Sequence, residues 1–267
     1  MEREAERHQN FLSISIDADG PVVVTFTADW HLGGDIDYQR LKDDFRLMLN
    51  EPLLYIGMVG DLIDNYFRFR TLEPVLNQVI PPRLQLDLLE QFVARLVKRR
   101  KLLFCAWGNH DFGREEANTG YSYTERLLSS YVPILTGKAI VDLRIGDETY
   151  RTLVFHKSRF NSHLDPLHSN RKELRECSLP GVNTVEIVVG AHTHQPAIQC
   201  LSYHGRRVVL CKTGTYKVRD PWGERTYGAG TPGNPTVVLF PDRHKIVYFD
   251  DPRDALIYAK GVRKQDE

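Results

Sequence analysis

Five of the ten histidines in this chain, His31, His110, His156, His192 and His194, lie just beyond short apolar runs, and the same positions carry Asp29, Asp61, Asp64, Asn109 and Asp111. Imidazole nitrogens mixed with carboxylate and amide oxygens suit Mn, Fe, Zn, Co or Ni, whereas Ca and Mg favour all-oxygen cages. Asp29 and His31 are one residue apart, as are His192 and His194. In an extended strand end that spacing directs both side chains of a pair to one side, so each pair reaches one ion. The two oxygens of Asp61 can bridge two ions, Asn109 adds a neutral oxygen and His156 a further imidazole, which implies two metals. Taken one at a time, each residue has a plainer reading as a surface histidine or a turn carboxylate. Their joint placement after apolar runs is what points to a site.

The elements that must position them are legible around those runs. PVVVTFTA, LLYIGMVG, LLFCAWG, YRTLVF and VEIVVGA read as buried strands, each ending where the candidate ligands begin. That edge is where open α/β sheets place their ligands. Upstream, FLSISI and VVVTFT flank the turn-like DADGP and read as a strand pair. Helical spacing of Leu41, Phe45, Leu47 and Met48 places a helix over 37–50, and a second amphipathic helix spans 84–98. A shorter helix is expected over 123–131. Hairpins are expected at Gly146-Asp147, His204-Gly205 and Pro241-Asp242, and a polar loop with a short helix after His156. The basic run Lys98 to Lys101 fits a helix C-terminus, where cations suit the macrodipole. RDPWGERTYGAGTPGNP is too rich in Gly and Pro for regular structure and reads as a mobile rim.

A chain of 267 residues, 42% hydrophobic and 26% charged, can bury a sizeable core. We read one domain over 11–258, with polar tails at 1–10 and 259–267. Thirty-five basic and thirty-five acidic residues cancel, so no global field recruits nucleic acid or an anionic membrane, and such binding needs local patches. Four cysteines without a C-x-x-C pair read as reduced thiols. With no signal-type N-terminus and no run of membrane-spanning length, a cytoplasmic protein is expected.

The ordered set Asp29-Trp30-His31, Gly60-Asp61-Leu62-Ile63-Asp64, Gly108-Asn109-His110-Asp111, His156 and His192-Thr193-His194 resembles the calcineurin-like metallophosphoesterase superfamily. The resemblance spans roughly Val22 to Thr215. It implies an α/β fold of two sheets packed as a β-sandwich and flanked by α-helices, in four layers α/β/β/α. It also implies one metal held by Asp29, His31, Asp61 and His194, and a second by Asp61, Asn109, His156 and His192. Ala191 stands where the family has glycine, a departure that bears on loop conformation and leaves both ligands in place.

Two such cations, about 3.5 to 4 Å apart, lower the pKa of a shared water to give a hydroxide that attacks phosphorus in line. Mn is the first choice, with Fe, Zn, Ni or Co as alternatives. The resemblance gives His110 a substrate-facing role, with Asp111 placed to orient its imidazole and keep it cationic. Asp64 is expected to hydrogen-bond near Asp61 or Asn109. Arg68, Arg70, Lys157, Arg159 and Arg171 follow active-edge strands, interleaved with Tyr66, Phe67, Phe69 and Phe160, as a phosphate and base-stacking surface would be. These features favour a phosphodiester or nucleic-acid substrate. The alternatives are a phosphomonoesterase acting on protein or nucleotide, and a non-catalytic metal-binding scaffold.

Overall fold

Val22, Val24 and Phe26 point to one side of their strand and Val23 to the other, yet all four are fully buried, so this strand is covered on both faces. The computed structural model describes residues 9–65, 78–219, 221–226, 228 and 230–266. Its strands are β1 (Gln9–Ile16), β2 (Val22–Thr27), β3 (Leu54–Met58), β4 (Leu102–Ala106), β5 (Ile134–Ile145) and β6 (Glu148–Phe155), followed by β7 (Ile187–Gly190), β8 (Ala197–Tyr203), β9 (Arg206–Lys212), β10 (Thr236–Leu239) and β11 (Ile246–Phe249). They form one hydrogen-bonded sheet of eleven strands in the order β11-β10-β2-β3-β4-β5-β6-β7-β9-β8, with β1 paired to β5.

That sheet folds over on itself. Four strands separate β10 from β6 in the ladder, yet the Tyr150 hydroxyl on β6 donates to the carbonyl of Phe240, just past β10, at 2.7 Å. One apolar layer, which includes Val22, Val24, Phe26, Tyr150, Val189 and Leu239, is built from strands without helical residues, so the two halves of the sheet bury each other there. The outer faces are covered by helices α1 (Tyr38–Asn50), α2 (Pro82–Lys98) and α7 (Pro252–Asp266) on one side and α5 (His168–Glu176) on the other. Helices α3 (Arg114–Thr119), α4 (Tyr123–Leu128) and α6 (Pro221–Thr226) are short. The expected sandwich with flanking helices is therefore present, its two sheets being halves of one continuous ladder.

Register brings the strand ends together. β5 starts where β4 stops, with Cys105 opposite Ile134, and β6 runs back along β5 to end with Phe155 opposite Lys138. The C-terminal ends of β4 and β6 thus meet at one edge. β2 and β3 run parallel to β4, and β7 runs parallel to β6, so their ends come to the same edge.

Three expectations are corrected. β1 and β2 do not pair: β1 lies parallel to β5, while the doubly buried β2 takes an interior place between β3 and β10. Residues 259–266 are no tail, because α7 continues to Asp266 and buries Ala255, Leu256 and Ala259. The Gly/Pro-rich segment holds helix α6, opened by Pro221, whose fixed φ suits a first helical turn. Residues 1–8 and 66–77, the latter with Arg68 and Arg70, lie outside the described residues. All four cysteines are free thiols, and no described helix is long and apolar enough to cross a membrane. At the end of β4 away from Asn109, Lys101 donates to the carbonyls of Glu51 and Pro52 at 2.6 and 2.7 Å, which gives the basic run a structural use.

Asp44 on α1 ties the helical layer to the chain beyond β9. Its buried carboxylate accepts from Arg40 Nε at 3.0 Å, Arg253 Nη2 at 2.7 Å, Tyr216 Oη at 2.9 Å and Asn234 Nδ2 at 3.3 Å. Replacing it by Ala leaves the buried Tyr216 and Asn234 groups short of an acceptor and should cost about 2–4 kcal/mol. Urea unfolding of Asp44→Ala checks this, and an unchanged midpoint would refute the network's importance.

Candidate metal centre

At the shared edge the loops are fastened to one another by backbone bonds. Asp29 N donates to Gly60 O at 3.0 Å, His31 N to Asp61 O at 3.1 Å and Ala191 N to His156 O at 3.2 Å. Asp29 Oδ2 accepts from His192 N at 3.0 Å, which brings the last motif to the first. Gly108 allows the closest approach. A Cβ at that position would stand 2.1 Å from Asp61 N and 2.5 Å from Asp61 Oδ1.

Five of the seven expected ligands take left-handed backbone: Asp29 (φ 51°), His31 (48°), Asp61 (51°), His192 (79°) and His194 (62°). This corrects the assumption of extended strand ends. Asp29 and His31 fall in one ligand group, but His192 and His194 fall in different ones, so the second pair does not reach one ion as its spacing suggested. Left-handed backbone costs about 1–2 kcal/mol per residue for a non-glycine. Strain of this kind persists only where surrounding structure imposes it, and it gathers at functional sites.

The resulting geometry joins three groups of ligand-type atoms, each group lying within 4.8 Å: Asp29, His31 and His194; His31, Asp61 and His110; Asp61, His156 and His192. His31 Nε2 is 3.2 Å from His194 Nε2, and His194 Nε2 is 3.4 Å from Asp29 Oδ1. His156 Nδ1 is 2.7 Å from Val59 O, and because a carbonyl only accepts, Nδ1 carries the hydrogen. The other nitrogen, Nε2, faces Asp61 Oδ2 at 3.1 Å. Asn109 opens a π-helical turn, Asn109–Gly113, of a kind frequent at functional sites.

These residues fit a bound cation. Asp29 Oδ1 and Asn109 Oδ1 are buried and make no hydrogen bond, and orphaned acceptors of this kind are costly unless a cation or proton sits among them. Electrostatics agrees. Burial, with the neighbouring charge of Lys217, holds His31 well below the usual imidazole range, and burial with His156 pushes His192 down to about 3. Both are then neutral, the form that binds metal. Burial also depresses His156, but the Asp61 carboxylate outweighs it and raises the imidazole to about 9. Asp61 is held well below the carboxylate range by His156 and His110, against its own burial.

The residues around the ligands depart from expectation. Asp111 does not orient His110: its buried carboxylate accepts from Leu62 N at 2.9 Å and Phe112 N at 3.0 Å, and burial beside Asp61 raises it to about 7. His110 Nδ1 lies instead 2.9 Å from Asp64 O and 3.0 Å from Arg114 Nη1, while His110 N donates to Asp61 Oδ1 at 2.7 Å. Nor is the His110 imidazole kept cationic, since burial and the charges of Arg114 and Lys217 hold it well below its usual range. Asp64 Oδ1 is 3.1 Å from His31 Nδ1 and 3.2 Å from Lys217 Nζ, so it braces a different ligand from the two expected. Arg114 was not anticipated, although its position four residues beyond His110 on a helical turn is a readable signal. Lys157 lies close enough to depress His192 electrostatically. Arg159 stacks on Phe160 at 4.6 Å and pairs with Glu176, whereas Arg171 is engaged by Asp165 and Gln199.

A family model described as calcineurin-like phosphoesterase matches residues 22–224. No curated protein matches the chain. Among solved structures it is similar to wild-type Vps29 complexed with Zn2+ from Entamoeba histolytica, at 10% identity and TM-score 0.39, covering 86% of this chain and 99% of that one. It is also similar to a conserved uncharacterized protein, a predicted phosphoesterase, from Streptococcus pneumoniae, at 11% identity and TM-score 0.39, covering 88% of this chain and 100% of that one.

Two outcomes follow from this geometry. Gly108→Ala should abolish Mn binding measured by calorimetry, because Asp61 must move to admit the methyl group, and a variant binding as well as the parent would refute the close approach. Below pH 9 an incoming cation displaces the His156 proton, so apparent Mn affinity should fall about tenfold per pH unit as pH is lowered. Competition with a chelator across pH 6.5–8.5 measures this, and a flat profile contradicts it.

Proposed function

The chain belongs to the calcineurin-like phosphoesterase family and is a metal-dependent phosphoesterase, and from that premise we propose a dinuclear phosphodiesterase with nucleic acid among its substrates. One cation would be held by Asp29, His31, Asp61 and His194 and the other by Asp61, Asn109, His156 and His192. The observation that carries this is the place of Asp61, whose carboxylate belongs to two of the three ligand groups. Divalent ions so held supply a nucleophilic water at neutral pH and offset charge on the phosphoryl oxygens.

The protein's own groups do the rest. His110, fixed through its backbone N–H to Asp61 and through its ring to Asp64 O, is held where it can hydrogen-bond a phosphoryl or leaving oxygen. Asp111 keeps the Leu62 and Phe112 amides in place beside it. The diester preference is supported by the strip beyond His156, where Lys157 is exposed and Arg159 and Lys172 lie over the Phe160 ring at 4.6 and 5.7 Å. Cations interleaved with an aromatic ring suit a phosphate backbone and stacked bases. A phosphomonoesterase is the second reading, favoured by Lys217 and Arg114, whose charges reach His110 and suit a dianion.

Mn-loaded protein should hydrolyse bis-p-nitrophenyl phosphate faster than p-nitrophenyl phosphate, and chelation should stop both. His110→Ala should lower kcat by about 10²–10⁴ with bound metal unchanged. Metal-loaded protein without turnover on mono- and diesters alike would refute the proposal, and the reverse rate order would favour the monoesterase.

A further inference from the structure

Of the five histidines at the shared edge, only His110 is not buried. Its peptide is gripped at both ends. The N–H goes to Asp61 Oδ1, and the carbonyl accepts from Asn65 Nδ2 at 3.1 Å. The same Asn65 amide donates to Glu115 Oε1 at 3.1 Å. A carbonyl only accepts, so the nitrogen of the Asn65 amide must face His110 and its orientation is fixed.

Asn65 is held on its other sides as well. It is buried in left-handed backbone, φ 52°, which asparagine tolerates better than most residues. Its N–H donates to Gln85 Oε1 at 2.8 Å, and the buried Gln85 on α2 is turned that way because its own Nε2 donates to Ile80 O at 2.8 Å. The carbonyls of Asp64 and Asn65 accept from Arg114 Nη1 at 2.8 and 3.4 Å, and that nitrogen lies 3.0 Å from His110 Nδ1. Glu115, next on α3, is saturated. Its Oε1 also accepts from Thr124 Oγ1 at 2.8 Å, and its Oε2 accepts from Thr124 N at 2.8 Å and Ser122 Oγ at 3.2 Å. A buried polar network so fully satisfied is rigid, and it converges on the turn that carries His110.

We propose that Asn65 is a positioning residue for His110: its amide fixes the His110 carbonyl, and with it the direction in which the imidazole meets a phosphoryl or leaving oxygen. Among the described residues its hydrogen bonds go to Gln85, His110, Glu115 and Arg114 and to none of the seven expected ligands, so it acts on the imidazole and not on the cations. Misplacing a reacting group by about 1 Å costs on the order of 10²-fold in rate. The inference deepens the phosphoesterase reading and rests on it and on the substrate-facing role of His110.

A double-mutant cycle separates positioning from support of the fold. Asn65→Gly removes the amide and leaves the left-handed backbone unstrained, whereas Asn65→Asp keeps the size and sets an acceptor against two acceptors. Turnover of bis-p-nitrophenyl phosphate by Mn-loaded protein is measured for each, alone and combined with His110→Ala, with bound Mn counted per chain. Each single variant should lower kcat about 10- to 100-fold with KM and bound Mn unchanged, and should lower it no further once His110 is replaced. An unchanged kcat in both variants would overturn the positioning role. An equal loss in the two backgrounds, or loss of bound Mn in both variants, would assign Asn65 to the fold and overturn it too. Turnover that His110→Ala does not diminish would remove the role of His110 and this inference with it. A metal-loaded parent without turnover would instead defeat the phosphoesterase reading, on which the inference stands.

Discussion

Acceptors buried against acceptors are the constraint on which this structure depends. Asp29 and Asp61 are removed from water beside His31, His156, His192 and His194, and Asn109 turns its oxygen inward with no donor to meet it. Among them the His156 imidazole is raised to about 9 by the Asp61 carboxylate, against its own burial. An interior of low dielectric does not tolerate such a set for its own stability, because each unsatisfied oxygen or nitrogen carries a desolvation cost that burial of neighbouring apolar groups does not remove. A bound divalent cation would relieve the conflict by taking lone pairs from such acceptors.

The rest of the molecule holds that cluster in place. Both halves of the sheet bury their inner faces against each other and their outer faces under helices, so the strands end in rigid, dry surroundings. The left-handed ligand residues cannot relax, because their backbone amides are tied to neighbouring loops: Asp29 to Gly60, His31 to Asp61 and His192 to the Asp29 carboxylate. Strain at the edge is sustained by packing beneath it, a common division between a stable scaffold and a site under tension.

Much of this was readable from residue order. The five strands that end at the candidate ligands, helices α1 and α2 and the hairpins follow from apolar periodicity and turn residues, because those signals are local. What failed was long-range. β1 and β2 look like a hairpin from the intervening turn, and only the burial of β2 on both faces tells that its neighbours lie elsewhere. Asp111 sits next to His110 in sequence, but the π-helical turn swings its carboxylate back to Leu62. Lys217 reaches Asp64 from beyond β9, a pairing that no local spacing announces. One-residue spacing misled for the last motif: its residues take left-handed backbone rather than an extended strand end, and His192 and His194 part into different groups of ligand-type atoms.

Anomalous diffraction from crystals of Mn-loaded protein measures the central claim most directly. The account predicts two manganese peaks about 3.5 to 4 Å apart, one on either side of the Asp61 carboxylate, with His31 and His194 on one ion and His156 and His192 on the other. A single peak, or two peaks neither of which touches Asp61, would contradict it.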